Sequence, residues 1–315
     1  MDNQFLTARS SEIRFFAVLA LFLSFLLVGS FIFGSKAKRM DVSVPTETAS
    51  GRFPTVTLEA KAAYVYDART KTVLFAKNEN TRLPLASLTK VMSALVAQDT
   101  SPLYGTVTIS GEALQAEGDS GLYRDEQWSL KNLLDFSLVT SSNDGMRAVA
   151  LSLGALSRAD ATSGEIINDF VGEMNRKAGE LGLKNTYFWN ETGLDESDVK
   201  GGAYGTARDI SALLEYILAH HSELFRATRE VTTTFQSLDN YSHIAKNTND
   251  VVAEIPGLLA SKTGFTDTAG GNLIFAFDPE LGRPIIVSIL GSTEKGRFED
   301  AHTLVGAVMG YISNN

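Results

Sequence analysis

The chain has 315 residues, of which 44% are hydrophobic and 21% charged, and its formal net charge is -9. That is a globular composition, long enough to bury a substantial core. The absence of cysteine excludes disulfides and thiolate metal sites. The acidic balance excludes the basic footprint of a nucleic-acid binder.

The first element is apolar. Phe15 to Gly34 contains no charged residue, and about twenty such residues in a helix span a bilayer core of ~30 Å. A cleaved signal peptide is the alternative, but its apolar region would be shorter and no clean small-x-small site follows Gly34. The expected plan is a cytoplasmic tail over 1–14, a transmembrane anchor over 15–34, a polar linker over 35–55 and one domain over 56–315. Arg9 and Arg14 precede the span and Lys36, Lys38 and Arg39 follow it. These flanks give no support for exporting the C-terminal part under the positive-inside rule.

Within the domain, Ala62–Tyr66 and Thr72–Ala76 read as a strand pair. Pro84 to Gln98 reads as a helix, with Leu88, Val91, Met92, Leu95 and Val96 at i, i+3, i+4 spacing. The middle, about 128–220, is mostly helical, with apolar stripes over Leu130–Leu138, Ile166–Leu181 and Ala207–Leu218. Strands return at Asn272–Phe277 and Pro284–Leu290, and a helix from about Phe298 to Ile312 closes the chain. Strands at both ends with helices between them predict an α/β (α+β) fold, with one antiparallel sheet built from both termini beside a helical region.

Three short motifs carry the chemistry. In Ser87-Leu88-Thr89-Lys90, residues three apart on a helix share a face, so the lysine amine can reach the serine hydroxyl. A serine becomes a nucleophile beside a base, and a lysine of lowered pKa serves. The spacing alone is weak, since it recurs at Ser35/Lys38, Ser197/Lys200 and Ser292/Lys295. Ser141-Ser142-Asn143 lies between two helical stretches, where helix capping is the plainer explanation of Ser141 and Asn143. Lys262-Thr263-Gly264 stands just before a strand, where a turn is the plainer explanation. Its lysine is expected to depress the Lys90 pKa and to attract a carboxylate.

Together the three motifs resemble the signature of penicillin-binding proteins and serine β-lactamases. The segments PLASLTKVMSALVA, SLVTSSNDGMRAVA and GLLASKTGFTDTAGGNLIFAF resemble those of the low-molecular-weight D-alanyl-D-alanine carboxypeptidases, serine peptidase family S11, and the likeness covers nearly all of residues 58–312. The resemblance implies a β-lactamase/DD-peptidase-like fold. It implies Ser87 as nucleophile, Lys90 as base and Ser141 as proton relay. Asn143 would position the substrate, and the Ser87 and Phe265 N–H groups would stabilise the oxyanion. Lys262, Thr263 and Gly264 would bind the substrate carboxylate with help from Arg297. The substrate would be a peptidoglycan stem peptide, with β-lactams as inhibitors and no metal or cofactor. Because that substrate lies outside the membrane, residues 35–315 are expected to be extracytoplasmic on a single-pass anchor.

Ser142 departs from the family's usual Gly or Ala. No Ser-His-Asp arrangement accompanies His220, His221, His243 or His302, and no Glu-x-x-x-Asn lies between Asn143 and Lys262. The first absence disfavours other serine hydrolases, and the second disfavours a class A β-lactamase. A DD-endopeptidase of the same family, or a non-catalytic muropeptide-binding protein, stays open.

Overall fold

Two runs of β-branched and aromatic residues, one near each end of the described chain, meet in a single sheet. The computed structural model describes residues 52–155 and 160–314, all within the unit Pro45–Asn315. The segment expected to span the membrane lies outside the described residues. Among the described residues no helix is long and apolar enough to cross one.

The chain begins with strands β1 (Ala62–Asp67) and β2 (Thr72–Lys77), then the short β3 (Leu83–Pro84). A 3-10 turn, Ala86–Leu88, leads into helix α1 (Thr89–Thr100). Strands β4 (Thr106–Thr108) and β5 (Gln127–Ser129) form a small hairpin ahead of helices α2 (Leu130–Thr140), α3 (Asn143–Gly154) and α4 (Ser163–Glu180). Strands β6 (Tyr187–Phe188) and β7 (Ala203–Gly205) pair with each other, and β7 also pairs with β3. After α5 (Ala207–His220) come a second hairpin, β8 (Thr232–Gln236) and β9 (Ser242–Lys246), and three long strands. These are β10 (Leu258–Thr266), β11 (Gly270–Phe277) and β12 (Ile285–Ser292), and helix α6 (Gly296–Ser313) ends the described chain.

The main sheet has the order β10-β11-β12-β1-β2, antiparallel throughout. Its central strands are buried on both faces, which explains why Ile285–Leu290 is apolar on both sides apart from Ser288, whose hydroxyl meets that of Ser211. Val65, Phe275, Val287 and Ile289 face α6, where Phe298, Leu304 and Val308 complete one core. Tyr64, Ile274, Ala276 and Ile286 point the other way and join the larger core built on the helices. The alternation follows from successive side chains leaving a strand on opposite sides. Phe53, expected in the linker, packs its ring 5.8 Å from those of Phe75 and Tyr311.

Helix α1 runs through the larger core, and every residue from Thr89 to Ala97 is buried. A helix surrounded on all sides needs no polar face, so Lys90 and Ser93 stand out there as buried polar groups. Helix α4 lies nearer the surface and starts with a capping box, Thr162 with Glu165.

Three expectations change. The helix expected from Pro84 begins at Thr89, because Leu83–Pro84 pairs with β7 and Ala86 takes a left-handed conformation (φ 47°) that starts the 3-10 turn. Lys262-Thr263-Gly264 is not a turn before a strand. It lies within β10, at the sheet edge, paired with Ile274, Leu273 and Asn272. Of the two expected caps, Ser141 is the C-cap residue of α2, whereas Asn143 is the first residue of α3, whose N-cap is Ser142, accepting from Gly145 N at 2.8 Å.

Candidate active site

The turn before α1 presents Ser87. Thr89 Oγ1 donates to Ala86 O (2.7 Å), and the fully buried Asn272 donates from Nδ2 to Pro84 O (3.0 Å). Asn272 Oδ1 in turn accepts from Gly291 N (2.7 Å), which ties the turn to two strands of the sheet. Ala86 and Ser141 both carry positive φ, at 47° and 62°. For residues with a Cβ that conformation is strained, and here it flanks the serine of the first motif and contains that of the second.

Lys90 enters beneath Ser87 from the first turn of α1. Its Nζ donates to Ser87 Oγ (2.8 Å), Asn143 Oδ1 (2.6 Å) and the Thr192 carbonyl (2.9 Å). Asn143 is held in turn by donation from Nδ2 to Glu117 O (2.7 Å). On the far side, Lys262 Nζ donates to Ser141 Oγ (2.9 Å) and to Thr263 O (2.9 Å). The Thr263 and Thr248 hydroxyls lie 2.6 Å apart. Gly264 passes so close to the serine turn that a Cβ there would stand 2.9 Å from Leu85 O and 3.1 Å from Ser87 N. Arg297, at the start of α6, donates from Nη1 to Gly264 O (2.8 Å) and stacks over the Phe298 ring. The structure thus brings Ser87, Lys90, Ser141, Asn143, Lys262, Thr263 and Gly264 into one cluster, with Arg297 behind the strand. Phe265 stands half-exposed on a neighbouring cleft of about 500 Å³ that Glu117, Asp195 and Asp267 also line.

Burial dominates the electrostatics. Both amines are at most 1% exposed, and removing an ammonium from water favours its neutral form. Burial pushes Lys90 down to about 7, while Glu191 and Asp144 pull the other way. Lys262 is pushed well below the usual lysine range, by burial first and then by Lys90 and Arg297. The expectation that Lys262 depresses Lys90 is therefore replaced. Desolvation lowers Lys90, and the charge effect between the two falls on Lys262.

The profile of the D-alanyl-D-alanine carboxypeptidase family, Peptidase_S11, matches residues 46–293. The chain belongs to that family. Among curated members, this carboxypeptidase homologue is 31% identical to the D-alanyl-D-alanine carboxypeptidase DacF of Bacillus subtilis, over 76% of its own length and 59% of that relative's. It is 31% identical to a D-alanyl-D-alanine endopeptidase of Pseudomonas aeruginosa, over 83% of this chain and 77% of the relative. The Streptomyces K15 DD-transpeptidase superposes with a TM-score of 0.73 at 26% identity, covering 82% of this chain and 99% of that one. Penicillin-binding protein D2 of Listeria monocytogenes, solved in an ampicillin-bound form, gives 0.66 at 27% identity, over 81% and 99%.

Sequence reasoning missed Thr192, Asn272 and Thr248. Each reaches the cluster from a distant segment, and no local spacing marks it. Asn272 alone left a signal, as a polar residue opening the apolar run that became β11.

Proposed function

We propose that this chain is a serine D-alanyl-D-alanine carboxypeptidase acting through an acyl-enzyme on Ser87. The observation that carries this is the Ser87–Lys90 contact, in which an amine lowered to about 7 lies 2.8 Å from the serine hydroxyl. An amine of that basicity is half neutral near physiological pH, the condition for a general base.

Lys90 Nζ takes the Ser87 Oγ proton as Oγ bonds to the carbonyl carbon between the two terminal D-alanines. The backbone N–H groups of Ser87 and Phe265 receive the negative oxygen. The C–N bond then breaks, and the departing D-alanine nitrogen takes the proton held by Lys90 by way of Ser141, whose Oγ accepts from Lys262 Nζ. Water hydrolyses the ester and returns Ser87. Lys262, pushed below the usual lysine range by burial, faces the terminal carboxylate, whose negative charge favours the ammonium and pairs with it. Thr263 and Gly264 line the same edge strand, and Arg297 holds it from behind. Asn143 orients Lys90 and the substrate amide.

Covalent labelling of the full chain by fluorescent penicillin tests the reading. Wild type should label, with a rate that falls as pH drops below about 7 and Lys90 takes a proton; Ser87→Ala should not label. A folded wild type that stays unlabelled sinks the reading and favours a non-catalytic muropeptide binder. A DD-endopeptidase is the second reading, supported by the similarity to the Pseudomonas endopeptidase. Free pentapeptide and cross-linked dimer digested side by side separate the two.

The apolar stretch 15–34 supports a single-pass anchor with residues 35–315 outside the membrane. Protease added to intact spheroplasts should then remove the domain, and full protection would contradict this topology.

A further inference from the structure

A buried carboxylate lies under the nucleophile helix, and the mechanism above does not use it. Glu191 is fully buried, in a strap that runs from Asn190 to Leu194 against α1. Two successive carbonyls of the strap bind that helix. Glu191 O accepts from Ser93 Oγ (2.6 Å), and Thr192 O accepts from Lys90 Nζ (2.9 Å). The strap braces itself through Asn190, whose Oδ1 accepts from Gly193 N (2.7 Å) and whose Nδ2 donates to Leu194 O (2.9 Å). Its approach is so close that a Cβ on Gly193 would stand 1.9 Å from Ala86 O.

The Glu191 side chain is fixed from the other direction. Its Oε1 pairs with Arg147 Nε, and Oε2 has no hydrogen-bond partner among the described residues. Arg147 lies one turn beyond Asn143 on α3, so both project from the same helix face. One face of α3 therefore touches Lys90 twice, directly through Asn143 and indirectly through Arg147, Glu191 and the Thr192 carbonyl. The Arg147 end of the pair is partly exposed, but the carboxylate is fully buried, and a buried charge is costly and gives little net stability, which asks for another reason for it to be there.

We propose that Glu191 is a positioning residue for acylation. Anchored by Arg147, it holds the Thr192 carbonyl on the Lys90 amine and places a fixed negative charge among the cations of the site. The inference rests on Ser87 as nucleophile and Lys90 as base. The charged groups around Lys90 are Asp144 and Arg147 on α3, Glu191 on the strap, and Lys262 on β10 with Arg297 behind it. Glu191 and Asp144 favour the Lys90 ammonium, and burial opposes them. Without the Glu191 charge, Lys90 would lose its proton at lower pH, and its carbonyl acceptor would be less firmly placed. Glu191 thus sets both where the amine points and the pH at which it becomes a base.

The test is the rate of acylation by fluorescent penicillin across about pH 5 to 9, on full-length wild type, Glu191→Gln and Glu191→Asp. In Glu191→Gln the acid limb should move down by roughly half to one pH unit, and the plateau rate should fall. Glu191→Asp keeps the charge and should return the limb towards the wild-type position. Should Glu191→Gln leave Arg147 too exposed to a buried neutral partner to fold, the pair Glu191→Gln with Arg147→Gln removes both charges. It should still move the limb downward, by no more than Glu191→Gln does, because Glu191 is the largest charge effect on Lys90. A folded variant whose acid limb coincides with that of wild type overturns the proposal. A wild type that is not acylated at any pH overturns instead the assignment of Ser87 and Lys90.

Discussion

Lys90 has no exposed surface, and its acceptors among the described residues, Ser87 Oγ, Asn143 Oδ1 and Thr192 O, stand in for water. That arrangement costs stability in a pH-dependent way. The folded-state pKa is lowered to about 7, against about 10.4 for an unfolded lysine. Between those values the unfolded chain binds a proton that the folded chain does not, so stability rises with pH in that window and is flat below it. Denaturant melts of wild type beside Lys90→Met should show the difference. The unfolding free energy of wild type relative to the variant should increase by roughly 2–4 kcal/mol from about pH 7 to about pH 10. A difference independent of pH would mean that Lys90 keeps an ordinary pKa. The residues of this site were legible in the sequence where spacing is local, as with Ser87 and Lys90 one helical turn apart. Glu191 and Thr192 were not, because their contacts with α1 join segments 98 and 102 residues apart and have no periodicity to betray them.

The elements hold the cluster by close approach rather than by side-chain bulk. Gly193 has φ 83° and faces Ala86 O with no room for a methyl group. Gly193→Ala should therefore push the strap off the nucleophile turn, destabilise the fold by about 2 kcal/mol or more, and abolish penicillin labelling. Labelling at the wild-type rate would show that the strap is free to move. The strands β1, β2, β11 and β12 were readable from their apolar runs, and α2, α4 and α5 from their stripes. Strand β10 was not, since Ser261-Lys262-Thr263 interrupts its apolar pattern with buried polar groups bonded to Thr228, Ser141 and Thr248. The start of α1 was misplaced for a related reason. Proline at 84 fits a helix start, but its pairing with Tyr204 of β7 and the positive φ of Ala86 are set by tertiary packing. The places where local reasoning failed are those where the chain departs from regular geometry to hold the cluster.

Across the whole molecule, the cluster sits where the helical region meets the edge of a sheet that draws on both ends of the chain. Ala62 pairs with Leu290 and Asp67 with Ile285, so β1 has β2 on one side and, on the other, the last strand of the sheet. Pairings of such long sequence separation form slowly, because loop closure precedes any gain from the contacts. Refolding from denaturant should therefore be slow, and recovery of penicillin labelling should track closure of the sheet rather than formation of helix. A chain ending at Phe277, without β12 and α6, should acquire helical signal yet never label. For a chain synthesised from its N-terminus, the order of strands acts as a delay. Ser87 and Lys90 emerge early but stand without Lys262 and without a floor until the final strand slots in beside β1. On the proposed function, acylation of Ser87 by a stem peptide and by a β-lactam would both become possible only at that last step.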